Sequence, residues 1–215
     1  MIIAADEYHW ATSPQGGVER MMLDRVGTEK ARATSVVRYA PGSNFPSHGH
    51  PGGEEILVLS GVFSDEDGHY PAGHYLRNAP GSSHRPFSDE GALIFVKLRQ
   101  MSSLDDRPIR IDTTSDASWH RDGLRDVCPL FSSANEQVAL VRPGPDALLF
   151  SEPVNTAELL LLDGELVIDG KTYRRGSWMR FPANDQPHLR SGASGACVYL
   201  KTGHLSGIVS KVRAC

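Results

Sequence analysis

The sequence predicts an all-β protein made of two tandem copies of one β domain, and three observations predict it. Twenty-one Gly and 14 Pro are scattered through 215 residues, so apolar runs of strand length are punctuated by turns. Ala-rich helical stretches are missing, which excludes a helical bundle. Features of the first half return in the second at a constant offset of 103, as between Gly61 and Gly164 and between Gly73 and Gly176, the signature of an internal repeat.

In chain order, the first half reads as strands at Ala33–Tyr39, Glu55–Leu59, Gly73–Arg77 and Ala92–Arg99, separated by Pro-Gly, Ser-Gly, Asp-Gly and Pro-Gly-Ser turns. This rhythm fits a sandwich or barrel. Asp65, Glu66 and Asp67 before Gly68 read as a hairpin turn carrying solvated charge. The apolar pattern lapses between Gln100 and Asp116, so the predicted domains are residues 1–107 and 108–215, meeting near Pro108. In the second half, Asp163-Gly164-Glu165-Leu166 echoes Ser60-Gly61-Val62-Phe63, and Gly176-Ser177-Trp178-Met179-Arg180 echoes Gly73-His74-Tyr75-Leu76-Arg77. Val141-Arg142 before Pro143-Gly144 likewise matches Val37-Arg38 before Pro41-Gly42.

Composition narrows the function classes. Hydrophobic residues at 40% and charged residues at 22% describe an ordinary globular chain and exclude disorder. A net charge of −4 with Lys and Arg spread along the chain offers no basic face, so no nucleic-acid partner is expected. No apolar run approaches the roughly 20 residues needed to span a bilayer, and Met1–Asp6 lacks the pattern of a secretory signal. No membrane association and a cytoplasmic location are the expectations. Cys128, Cys197 and Cys215 have no Cys-x-x-Cys spacing and read as reduced thiols, partly core filler.

The chemistry concentrates between residues 48 and 84, which hold five of the nine histidines. His48 and His50 lie two apart and so share one face of a strand, and Glu54 starts the next. His84, after the Pro80-Gly81 turn, supplies a fourth donor. Imidazoles with a carboxylate closing on one point suit a divalent transition metal that keeps a position open for water or substrate. A His-x-His pair alone would read as two ordinary strand histidines; Glu54, His84 and the spaced glycines turn the balance. His69 and His74 read as exposed. Tyr75, Arg77 and Lys97 are candidates for an inward face that alternation does not decide, with a structural role preferred for Arg77 because Arg180 echoes it.

These residues carry a family resemblance. Gly42, five residues, His48-x-His50, three residues, Glu54, six residues and Gly61, followed by Gly73, seven residues, Gly81, two residues and His84, resemble the two cupin motifs. Two positions depart from the pattern, Ala79 for the usual proline and Ser88 for the usual asparagine, and neither is a ligand. Glu55 is the competing carboxylate, and the distance to Gly61 favours Glu54. The resemblance implies two tandem cupin barrels of the double-stranded β-helix or jelly-roll type, a bicupin. It also implies a metal held by His48, His50, Glu54 and His84. Zinc is the expected metal, with iron, manganese and nickel as alternatives.

The block Pro51-Gly52-Gly53-Glu54-Glu55-Ile56-Leu57-Val58-Leu59-Ser60-Gly61, with Tyr70-Pro71-Ala72-Gly73 and Pro80-Gly81-Ser82-Ser83-His84, is similar to the C-terminal cupin of ChrR anti-sigma factors. That resemblance covers Val36–Gln100 and implies a regulatory or sensor protein answering to an oxidant or small ligand. The helical sigma-binding domain of that family has no counterpart here, so direct sigma-factor binding is not implied. The alternative is a metal-dependent cupin enzyme, a dioxygenase or isomerase acting on an oxygen-chelating substrate. A purely structural zinc barrel is the third reading and requires that no pocket lie above the metal.

In the second copy the offset carries the four ligand positions onto Ser151, Pro153, Ala157 and Pro187. One metal per chain is therefore expected, in the first domain. A rearranged second site from Glu158 and His188 is disfavoured, since each lies one residue out of register. The two cupins are expected to pair within the chain, with a homodimer as a further arrangement.

Overall fold

The 12-residue strand Glu54–Asp65 shows how this sequence builds its fold. Its first half, Glu54 to Val58, is buried throughout, as a strand covered on both faces requires. At Gly61 the backbone turns to φ +70°, and a Cβ there would run into the Gly91 carbonyl oxygen, so only glycine fits. The Ser60-Gly61 step is therefore a kink within one strand rather than a turn between two. Before the kink the strand pairs with His74–Asn78, and beyond it with Gly68–Pro71.

The computed structural model describes residues 1–14, 16–27 and 31–205, and Cys215 lies outside them. The described elements are strands and two short 3-10 turns, Ala5–Glu7 and Asp116–Ser118. No helix is long and apolar enough to cross a membrane. The chain forms two compact units, residues 9–115 and residues 1–8 with 116–215.

In the unit of residues 9–115, the main sheet runs in the order Ile109–Asp112, His74–Asn78, Glu54–Asp65, Ala92–Leu98, Arg32–Tyr39, Val18–Val26, Trp10–Thr12. Short strands cover the other face, among them the antiparallel pair His48–His50 and Ser82–His84. Val18, Val37, Ile56, Phe63, Leu76 and Ile94 pack between them. This is a jelly roll. The sheet is not hydrogen-bonded into a closed cylinder: it ends at Trp10–Thr12 and Ile109–Asp112, which do not pair with each other. The stretch Gln100–Asp116, read from sequence as a connector, supplies the edge strand Ile109–Asp112.

The other unit repeats this plan, in the order Ile2–Ile3, Trp178–Phe181, Ala157–Ile168, Arg190–Thr202, Gln137–Pro143, Arg125–Ser132, His120–Asp122. Ala157–Ile168 is Glu54–Asp65 displaced by 103 at both ends. Gly164 kinks at φ +73° as Gly61 does. Its edge strand Ile2–Ile3 comes from the start of the chain.

Candidate metal centre

The four predicted donors come together in the unit of residues 9–115. His48 and His84 are register partners on the antiparallel pair of short strands, and His50 stands opposite Ser82. The Gly52-Gly53 turn then returns the chain to Glu54. Both glycines are needed: a Cβ on Gly52 would press on the Arg99 backbone, and one on Gly53 would enter the Met101 side chain. Gly53, at φ +74°, donates its N–H to the His50 carbonyl at 3.0 Å, and Gly81 donates to the same oxygen at 2.9 Å.

The imidazole rings form a triangle with centroids 4.8, 4.8 and 5.2 Å apart. One ligand atom from each of His48, His50 and His84 lies within 4.8 Å of the others. Among the described residues, no other group of three or more His, Cys, Asp and Glu donors is brought together in this way. Glu54 Oε2 stands 3.5 Å from His50 Nε2 and 3.4 Å from His84 Nε2. Both nitrogens are buried without a hydrogen-bond partner, although buried polar atoms are nearly always satisfied. Two orphaned imidazole nitrogens facing a carboxylate oxygen are a donor set that a divalent transition metal would complete.

The surrounding groups prepare that set. His48 Nδ1 lies 3.0 Å from the Pro46 carbonyl oxygen, and His84 Nδ1 lies 3.3 Å from Asp65 Oδ2. Both partners only accept, so each Nδ1 carries the proton and each Nε2 keeps its lone pair free. Asn78 donates to Glu54 Oε2 at 3.1 Å, and Arg110 donates to Asn78 Oδ1 at 2.8 Å.

Electrostatics separates the donors. Burial, followed by the charges of His84, His48 and Arg99, pushes His50 down to about 3. His48 is also lowered, chiefly by burial. Burial lowers His84 too, but its bond to Asp65 and the charges of Glu54 and Asp65 outweigh this, and the net direction is up. Burial raises Glu54, with the nearby His84 charge opposing. Burial also raises Tyr39, and the Glu54 charge adds to it.

A cavity of about 370 Å³ opens beside the donors, walled by Val37, Phe45, Phe63, Ile94, Val96 and Leu98. Tyr39, Arg20, Arg25 and Arg99 also reach it. Sequence reading missed Tyr39 and these arginines, which lie on strands or strand ends that only the sheet order brings beside the motif. It also misjudged Asp65, which is 4% exposed and bonded to His84 rather than solvated; Glu66 and Asp67 are exposed. Glu55 faces away from the donors, taking a hydrogen bond from Tyr75 at 2.8 Å and pairing with Arg77 at 3.1 Å. Arg77 also pairs with Asp105, and Lys97 donates to Thr34. His69 is exposed.

In the other unit, Ala157 and Phe181 occupy the positions of Glu54 and Asn78 and belong to the apolar core. Ser151 and Pro153 are exposed. Glu158 does not meet His188, which is exposed; it lies 3.0 Å from His204 and accepts a hydrogen bond from Trp178 at 2.8 Å. His204 was missed because nothing in its sequence neighbourhood repeats a motif.

Residues 1–102 match the model of the ChrR cupin-like domain. No curated protein matches the sequence. Among solved structures, a candidate dioxygenase from Nostoc punctiforme is 15% identical with a TM-score of 0.78, covering 96% of this chain and 83% of that one. The bacterial pirin YhhW from Escherichia coli, solved with nickel(II), is 14% identical with a TM-score of 0.68, covering 94% of this chain and 98% of its own. An oxalate decarboxylase is 12% identical with a TM-score of 0.66, covering 94% and 77%. Taken with the jelly-roll strand order and the His-x-His and Glu54 spacing, these matches lead to one conclusion: the chain has a cupin fold, and its first half carries a cupin domain resembling that of ChrR.

Proposed function

We propose that His48, His50, Glu54 and His84 hold one divalent metal, and that the chain is a metal-dependent cupin enzyme acting on a small organic ligand in the adjoining cavity. The observation that carries this reading is the cavity of about 370 Å³ beside the donors, a size typical of small-molecule sites. A purely structural zinc would have no use for it. When bound, the metal would polarise an oxygen of the ligand or, if redox-active, supply electron-transfer chemistry. The protein's own groups orient the donors: Asp65 and the Pro46 carbonyl fix the tautomers of His84 and His48, and Asn78 holds Glu54. The apolar walls offer the ligand a surface that favours a hydrocarbon body.

Sensing of an oxidant or small ligand is the second reading, supported by the match of residues 1–102 to the ChrR cupin-like domain. The test is elemental analysis of protein purified from metal-balanced medium. One equivalent per chain is expected: iron, manganese or nickel would favour the enzyme, and tightly held zinc the sensor. No metal after metal-replete preparation would overturn both, and two equivalents would overturn the single site.

A further inference from the structure

The charge lining the cavity is one-sided. Among the described residues, Arg20, Arg25 and Arg99 reach it, and Glu54, turned toward the imidazoles, is the one acidic residue of its lining. Any divalent metal there would add to the excess. Neither Arg20 nor Arg99 is paired with a carboxylate among the described residues.

Two features aim these side chains. Arg20 lies on Val18–Val26 opposite Val37, a cavity-wall residue, with its guanidinium 5.8 Å from the centre of the Phe45 ring, which is itself 5.7 Å from that of His48. Arg99 is half-buried and takes φ +57° just past the strand Ala92–Leu98. That conformation is uncommon for a residue with a Cβ and is held where its surroundings demand it. Here the demands are the Arg99 N–H bond to the Gly53 carbonyl at 3.0 Å and the close approach of Gly52. The backbone is thus bent where it passes the Gly52-Gly53 turn, and from there the Arg99 side chain reaches the cavity.

We propose that the cavity takes a small organic carboxylate, its anionic end held by Arg20 and Arg99 and its apolar body laid against Val37, Ile94 and Val96. This rests on the reading of the cavity as a small-molecule site. A guanidinium matches a carboxylate as a two-pronged donor. The aliphatic walls reward a hydrocarbon body that inorganic anions lack.

The test is calorimetric titration of the zinc-loaded protein with hexanoate, hexanamide, acetate and inorganic phosphate, with the zinc content of each sample measured. Hexanoate is expected to bind at least about tenfold more tightly than the other three. Arg20→Gln and Arg99→Gln should each weaken hexanoate about tenfold, the worth of a charge-assisted hydrogen bond, at unchanged zinc content. Hexanamide binding as well as hexanoate, phosphate or acetate matching it, or full hexanoate affinity in both variants with zinc retained would each overturn the proposal. Arginine-dependent hexanoate binding by protein that takes up no zinc would uphold it while removing the metal reading, so the two failures are distinguishable.

Discussion

Replacing Asp65 by Asn tests whether the second ring nitrogen of His84 is held for coordination. Asp65 is 4% exposed, its Oδ2 lies 3.3 Å from His84 Nδ1, and its Oδ1 accepts the Asp67 N–H at 3.0 Å. Asparagine keeps the shape and an oxygen for Asp67 but loses the charge that makes His84 Nε2 a stronger donor. Changes at such a position typically cost 10- to 100-fold in metal affinity, about 1.4 to 2.7 kcal/mol. The pH dependence carries a sign. Burial lowers His84, and the Asp65 bond with the carboxylate charges more than reverses it, so in the wild type protons compete for His84 from above the ordinary imidazole value near 6.5 downward. Asp65→Asn removes part of that competition along with the donor strength. Its affinity deficit should therefore be largest at the alkaline end of the range, where proton competition is weakest, and should narrow as pH falls. Chelator competition for zinc across pH 6 to 8.5 measures this, with the exposed Asp67→Asn as control, expected within about twofold of wild type. No deficit at pH 8.5, or one that widens toward acid, would refute the reasoning.

The remaining predictions concern the scaffold. Glu55→Gln should leave zinc stoichiometry unchanged but destabilise the fold by about 3 kcal/mol, because it breaks a buried pair with Arg77; metal loss at an unchanged melting temperature would instead make Glu55 the ligand. Gly61→Ala should cost more than about 2 kcal/mol in denaturant unfolding, since positive φ and a backbone collision coincide there. Gly81→Ala, at φ +86° with nothing near its Cβ, should cost only about 1 kcal/mol. Burial pushes the Cys128 thiol up to about 11, leaving about 0.1% thiolate at pH 8. Iodoacetamide followed by peptide mass spectrometry should find Cys128 unmodified until the protein is unfolded.

The legible parts were those written locally. Gly61 and Gly164 announced the repeat because each is required by its own backbone angle; His48, His50 and Glu54 fall within seven residues, and His84, on another strand, was reached through the resemblance to the second cupin motif. Asp65 was misread because an acidic cluster before a glycine has the same composition whether its first member points out or in. The inward choice is made by His84, on another strand. Tyr39, Arg20 and Arg99 carried no signal, because their meeting depends on which strands become neighbours in the sheet. Open edges were equally invisible, since turn rhythm does not say whether the first and last strands of a sheet find each other.

The pairing of Ile2–Ile3 with Trp178–Phe181 bears on how the molecule is made. In a chain emerging from the ribosome, residues 9–115 can assemble as soon as they are clear. The opening strand must wait for a partner some 177 residues downstream, as Ile2 does for Met179. Loop closure over that separation is slow compared with local hairpins, so Ile2–Ile3 is among the last strands to become ordered. A fusion joined directly ahead of Ile2 would therefore burden the unit that holds Trp178–Phe181, some 177 residues away in the sequence.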